Sequence, residues 1–309
     1  MKLRLPQLHS KQTFLLEESY RFLAGFQGEQ IIDQFVQQAK ISGHFAYLPN
    51  VTITLTPNKK SQIDGLFIHE KYILIIEVKN MKGELFFETT PSQLIQKTEE
   101  GDKAYSCPQI QVISAAYILK EFLLSHKIFD LPVYCVIAMP NRKTIIRKPP
   151  KKVKLLFGRE LPLYIEKLNE LPAIINKSQI KKLIKAIEKN QSQIEFEPLA
   201  NKYNINVQDI KKGVICECGQ SGKRISQRIW TCTKCQKKIE RPIEQVIEDW
   251  FLLIKSTISI QEGMSFLKIN DRNHVRRAFK KSGLESKGHS RNIVYFQNNL
   301  NLNHPRDKS

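Results

Sequence analysis

The sequence predicts an α/β domain over residues 1–190, followed by a small cysteine-rich element and a basic helical module. Three observations carry this. Two strand-like runs, Gln62–Ile68 and Tyr72–Lys79, are separated by only three residues. Val133–Met139 is continuously apolar. Helical periodicity brackets these runs on both sides.

Residues 1–25 are mixed in character and are expected to pack loosely ahead of the first element. From Gly28 onward, Glu29–Ala39 places apolar residues at helical spacing. The two strand-like runs flank His69-Glu70-Lys71, which implies an antiparallel hairpin. Ile110–Leu124 suits a second helix, with Ile110, Ile113, Ala116, Tyr117 and Leu124 repeating at i, i+3 and i+4. Val133–Met139 has the pattern of a buried central strand. Residues 141–159 hold eight Lys or Arg and no acid, which suits a solvated loop or a phosphate-contacting one. Residues 178–190 read as a basic amphipathic helix with Ile180, Leu183, Ile184 and Ile187 on one face, and residues 191–212 as a linker.

Composition narrows the function. Among 309 residues, 49 Lys and Arg face 30 Asp and Glu, a formal net charge of +19. That excludes a mimic of acidic ligands, disfavours an ordinary small-molecule enzyme and favours a polyanionic partner. Apolar content of 41% with 9% aromatics argues against disorder. The longest apolar run, Tyr72–Ile76, falls far short of the roughly 20 residues of a membrane span, and Met1–Pro6 lacks a signal-peptide core. The expected partner is therefore nucleic acid rather than a membrane, in the cytoplasm.

The hairpin is the most informative stretch. If its turn centres on Glu70 and Lys71, residues whose numbers sum to 141 pair, and Asp64 lies opposite Glu77 with Cβ atoms about 5 Å apart. Glu70-Lys71 is not a favoured two-residue turn, so a bulge could shift this register. Lys79, two residues from Glu77, shares its face. Two neighbouring carboxylates repel unless a cation lies between them. A hard divalent ion, Mg²⁺ or Mn²⁺, takes such oxygens and binds substrate phosphate, while Lys79 is placed to act on the attacking water or the developing charge. Glu29 lies three residues before Ile32 and seven before Val36, so it faces the buried stripe and could join the site. An exposed Glu77–Lys79 pair is the plainer alternative.

Asp64-x12-Glu77-x-Lys79 resembles the PD-(D/E)XK nuclease signature. Taken with Gly25-x-x-Gly28-Glu29 and Ile76-Glu77-Val78-Lys79-Asn80-x-x-Gly83, it is similar to the nuclease-related domain (NERD) over residues 20–170. The resemblance implies a restriction-endonuclease-like mixed central sheet flanked by helices. It makes Asp64 and Glu77 metal ligands, gives Lys79 the chemistry, and makes Glu29 an assisting carboxylate. Gln111 matches the helix glutamine that often follows, although this chain has Cys107 where the family has Asn.

Cys107 and Cys135 read as core thiols. Cys216-x-Cys218 and Cys232-x2-Cys235, thirteen residues apart, form a four-thiolate pattern that suggests Zn²⁺ before it suggests disulfides. Residues 213–240 resemble a zinc ribbon of the topoisomerase type, sometimes joined to NERD domains, although the Cys-x-Cys pair is tighter than usual. With no open ligand position the zinc is expected to be structural. Arg224, Arg228 and Trp230 add cationic and stacking groups suited to single-stranded or distorted nucleic acid. In residues 241–309, a helix over Ile243–Ile254, a short one over Ser259–Leu267, a turn, a basic helix over His274–Lys281 and a strand over Asn292–Phe296 resemble a winged helix-turn-helix. Arg276, Arg277 and Lys280 are expected on its exposed face. The expectation is a metal-dependent nuclease acting on DNA, or on RNA. The alternative is a non-catalytic DNA- or RNA-binding protein built on a degenerate nuclease fold.

Overall fold

An apolar run such as Tyr72–Ile76 has no polar side to turn to water, so it must be covered on both faces. In the computed structural model, which describes residues 1–127, 131–191, 197–226, 229–289 and 293–297, this is how it is placed. The elements in order are α1 (Gln12–Val36), β1 (Phe45–Thr56), β2 (Lys59–His69), β3 (Ile73–Val78), β4 (Gly83–Thr89), β5 (Ser92–Thr98) and β6 (Gly101–Ser106). Then come α2 (Pro108–Ser125), β7 (Val133–Met139), β8 (Thr144–Lys148), β9 (Lys154–Phe157), α3 (Leu161–Leu168) and α4 (Lys177–Gln191).

The chain divides into two compact units, Tyr20–Ile194 and Met1–Ser19 with Glu195–Ser309, the division falling inside α1. In the first unit a five-stranded mixed sheet has the order β1-β2-β3-β7-β9, with β1, β2 and β3 antiparallel and β3, β7 and β9 parallel. Alternation along β3 sends Ile73 and Ile75 into one core with Val112, Leu119 and Phe122 of α2 and Leu183 and Ile187 of α4. Leu74 and Ile76 enter a second core with Ile32 and Val36 of α1 and Leu161 and Ile165 of α3. Helices therefore cover both faces. The β2–β3 register pairs Gly65 with Ile76, Leu66 with Ile75, Phe67 with Leu74 and Ile68 with Ile73, the expected sum of 141 without a bulge.

Several expectations are corrected. The first helix begins at Gln12, well before Gly28. Within residues 1–25 the packing is mixed: Arg4 is 2% exposed, donates to Asp249 at 2.6 Å and to the carbonyls of Lys211 and Gly213, and stacks on Phe266, and Leu5 and Leu15 are buried, whereas Leu8, Tyr20 and Phe22 stay exposed. The core face of α2 is not the predicted stripe. Gln109, Val112, Ala115, Leu119 and Phe122 are buried, while Ile110, Tyr117 and Leu124 are exposed. Residues 83–106, given no structure in advance, form β4–β6, and with β8 they make a second sheet of order β6-β5-β4-β8. The basic stretch 141–159 is no simple loop. It supplies β8 and β9, and Arg147 and Lys148 pair with Glu84 and Glu88 of β4.

The second unit contains α5 (Leu199–Lys202), β10 (Gly222–Arg224), β11 (Trp230–Cys232), α6 (Pro242–Leu253), β12 (Ile258–Ser259), α7 (Ile260–Leu267), α8 (Arg272–Lys281), β13 (Glu285–Lys287) and β14 (Val294–Phe296). Residues 197–212, expected to be a linker, contribute Ala200, Ile205 and Ile210 to this unit's core. Ser259 and Glu262 form a capping box at the start of α7, and Asp271 caps α8 through the amides of Asn273 and His274. β12, β14 and β13 form a small antiparallel sheet in that order. Among the described residues no helix is long and apolar enough to cross a membrane.

Candidate functional site

The β2–β3 register continues toward Asp64 and Glu77, where the strands reach the edge of the apolar core. Asp64 Oδ2 accepts a hydrogen bond from the Val78 amide at 2.8 Å, which fixes its carboxylate against the end of β3. Glu77 is 8% exposed, and its Oε1 accepts from Lys79 Nζ at 2.7 Å. The plain exposed pair is thus excluded for Glu77. Each carboxylate keeps one oxygen, Oδ1 of Asp64 and Oε2 of Glu77, without a hydrogen bond among the described residues.

Glu29 is near enough to feel the charges of Asp64, Glu77 and Lys79, because α1 packs closely on the segment that follows β3. A Cβ on Gly28 would sit 2.5 Å from Asn80 Cβ, so only glycine permits the approach. Asn80 Nδ2 donates to the Ala24 carbonyl at 2.7 Å and clamps the contact. Gly25, the other glycine of the motif, has nothing within 4 Å of a Cβ position. Two further groups belong to this neighbourhood and were missed in the sequence. The Tyr47 hydroxyl donates to Asp33 Oδ1 at 2.5 Å, and a Cβ on Gly65 would lie 2.6 Å from that hydroxyl. Asp33 stands four residues after Glu29, on the same helix face, and that spacing was the available signal.

Electrostatics confirm the crowding. Burial, then Asp64, push Glu77 up to about 7 against the pull of Lys79. Burial, then Asp64, Asp33 and Glu77, push Glu29 up to about 7. Burial raises Asp64 as well, against the Val78 amide, and raises Asp33. Carboxylates held together out of water prefer a proton or another cation. The two uncommitted oxygens are hard donors of the kind that could hold a divalent ion keeping waters in its remaining positions.

Gln111 is exposed in the first turn of α2, and no hydrogen bond among the described residues links it to the carboxylates. The buried glutamine is Gln109, whose Oε1 accepts from the Lys152 amide at 2.5 Å. Cys107 caps α2 without a side-chain hydrogen bond.

The cysteine quartet lies in the second unit. Gly222 starts β10 where a Cβ would meet Ile239 and Val214 at under 3 Å, so the hairpin sits directly on the core. The Sγ atoms of Cys216, Cys218, Cys232 and Cys235 all lie within 4.8 Å of one another, with Cys216–Cys235 at 3.7 Å and Cys218–Cys232 at 3.4 Å. A tetrahedron with metal–sulfur bonds of about 2.3 Å has edges of about 3.8 Å, so these thiols could bind a structural metal such as Zn²⁺. The Cys235 and Lys234 amides donate to Cys232 Sγ at 3.4 and 3.3 Å and lower its thiol, while burial and the thiols of Cys235, Cys218 and Cys232 raise that of Cys216, so the four share protons as one cluster. Among the described residues this is the one cluster of three or more such ligands.

Arg224 lies opposite Trp230 in the β10–β11 register. Arg276, Arg277 and Lys280 are exposed on α8, while Val275 and Phe279 on its other side are buried. Arg228 lies outside the described residues. No curated protein and no solved structure matches the chain. Residues 24–140 match the family model of the nuclease-related domain (NERD), and this span holds Glu29, Asp64, Glu77, Lys79 and Gln111. Over residues 24–140 the chain is therefore similar to the nuclease-related domain.

Proposed function

We propose that the protein is a divalent-metal-dependent nuclease that hydrolyses phosphodiester bonds of DNA in the cytoplasm through a PD-(D/E)XK site. The observation that carries this is Asp64 and Glu77 drawn together beside Lys79 inside a nuclease-related domain. Mg²⁺ or Mn²⁺, when bound, supplies Lewis acidity and a more acidic water. Asp64, fixed by the Val78 amide, and Glu77, fixed by Lys79, each present one oxygen to hold it. Lys79 Nζ is positioned to orient the attacking water and to stabilise negative charge developing on the phosphate oxygens. The water oxygen bonds to phosphorus as its proton passes to solvent, the bond to the leaving deoxyribose oxygen breaks, and the departing oxygen takes up a proton from solvent. Glu29 supports the site from α1.

The cysteine quartet holds a structural Zn²⁺ in a zinc ribbon, which requires reduced thiols and suits a cytoplasmic setting. The module of α6–α8 and β12–β14 acts as a winged helix-turn-helix whose Arg276, Arg277 and Lys280 meet the substrate backbone. One observation favours a second reading, a non-catalytic DNA- or RNA-binding protein: among the described residues no hydrogen bond ties Gln111 to the carboxylates. Incubation with linear, circular and single-stranded DNA and with RNA, across a Mg²⁺ and Mn²⁺ titration, separates the two. Metal-dependent turnover is expected; tight binding with no product under any condition would favour the second reading.

A further inference from the structure

The second unit contains a groove of about 780 Å³, lined by Arg224 and Trp230 of the cysteine hairpin, Arg241 at the start of α6, and His274, Arg277 and Lys281 of α8. That volume lies in the range of about 300–1,000 Å³ typical of ligand clefts. We propose that this groove is one composite binding site for single-stranded nucleic acid, with a base stacked on Trp230 and the backbone phosphates on the surrounding arginines. The inference rests on the reading of the chain as acting on nucleic acid, but not on cleavage.

The local structure explains the convergence. The β10–β11 register pairs Arg224 with Trp230, so the two side chains leave the hairpin on one face, and both line the groove. Trp230 is only partly buried: it packs on the unit's core and also lines the groove. On α8, burial of Val275 and Phe279 leaves Arg277 and Lys281, four residues apart, along one flank. Arg241 precedes Pro242 in the left-handed region, with φ of 45°.

The cations are tethered, not all free. Lys281 pairs with Glu244, itself in the groove, at 2.8 Å, and Arg241 with Glu248 at 3.3 Å. Such partly exposed pairs are worth little and exchange readily for phosphate. The guanidiniums match phosphate in planar, two-pronged fashion. An indole face flanked by cations selects a planar base presented out of a helix, which a single strand offers and a duplex does not.

The test uses the full-length chain with Glu77→Ala, loaded with zinc and without other divalent metal, titrated with an oligothymidylate. The sequence has two tryptophans, Trp230 and Trp250, and Trp250 is buried with its indole N–H on the Thr257 carbonyl. Oligonucleotide should therefore change the emission of Trp230, and Trp230→Phe should remove that change. Trp230→Ala should weaken binding by about 5- to 150-fold, the range for one stacked base. Arg277→Ala should flatten the logarithmic salt dependence by about 0.7 for one lost single-strand phosphate contact. The proposal is overturned if the oligonucleotide binds without altering Trp230 emission. It also fails if duplex DNA or polyglutamate alters that emission equally, or if the salt slope of Arg277→Ala equals that of the parent. Absence of nuclease activity in the unmutated chain would leave each of these outcomes readable.

Discussion

Replacing Glu77 by Gln in the metal-free protein gives a stability change whose sign depends on pH. Burial and Asp64 raise the folded carboxyl from about 4.5 to about 7, so between those values the folded state binds more protons than the unfolded chain. Stability therefore falls as pH rises through this window. At about 1.36 kcal/mol per pH unit, the loss from Glu77 is on the order of 3 kcal/mol once pH is well above 7. Glutamine keeps an oxygen for Lys79 and removes the titration. At pH 5 the variant should match the parent within about 1 kcal/mol. At pH 8.5 it should be the more stable, by up to about 3 kcal/mol or roughly 6–12 °C in the melting of a unit of this size. Thermal melts of both proteins at the two pH values, after dialysis against metal-free buffer, measure the difference. Mg²⁺ should restore the parent at pH 8.5 and leave the variant unmoved. A variant destabilised equally at both pH values would refute the idea that Glu77 is crowded by Asp64 in a dry site.

Gly28→Ala should destabilise by about 1–3 kcal/mol in urea titrations, because its Cβ would press on Asn80 Cβ at 2.5 Å. Gly25→Ala, which meets nothing, should be neutral or stabilising by up to about 1 kcal/mol through helix propensity; the same loss at both positions would contradict the close approach of α1. Metal content by mass spectrometry should give about one zinc per chain, reduced to near zero by Cys232→Ser with loss of order in the β10–β11 hairpin. A well-folded parent without zinc would remove the ribbon.

How far the sequence could be read depends on how much side-chain pattern each element carries. The β2–β3 hairpin was readable to the register because an apolar run ending in Glu77-Val78-Lys79 has only one way to alternate. Glu29 was readable as inward-facing from Ile32 and Val36. By contrast, β6 is exposed at every residue and is held by backbone pairing with β5, so Gly101–Ser106 offers no periodicity to detect. α2 is apolar over much of its circumference, and the choice between Val112–Leu119 and Ile113–Tyr117 as its core face is made by the sheet it packs on. Strand β8 is masked in the sequence by cations whose acidic partners, Glu84 and Glu88, lie about 60 residues away, and β9 opens on Lys154, which lies over the Tyr164 ring. The Gln111 assignment came from a motif alone; α2 buries Gln109 and leaves Gln111 exposed. The formal +19 was likewise diffuse at first. Stretches 141–159 and 268–291 carry +8 and +6 of it; Arg147 and Lys148 of the first are paired with Glu84 and Glu88, and Arg277 and Lys281 of the second line the groove.

Hydrolysis at Asp64, Glu77 and Lys79 is tested most directly by comparing DNA cleavage by the parent and by Glu77→Ala at saturating Mg²⁺, with circular dichroism to verify the fold of both. Loss of a metal-holding carboxylate should reduce cleavage by more than the 10–100-fold typical of an outer partner, with the spectrum unchanged. Equal cleavage by a folded Glu77→Ala protein would contradict the assignment.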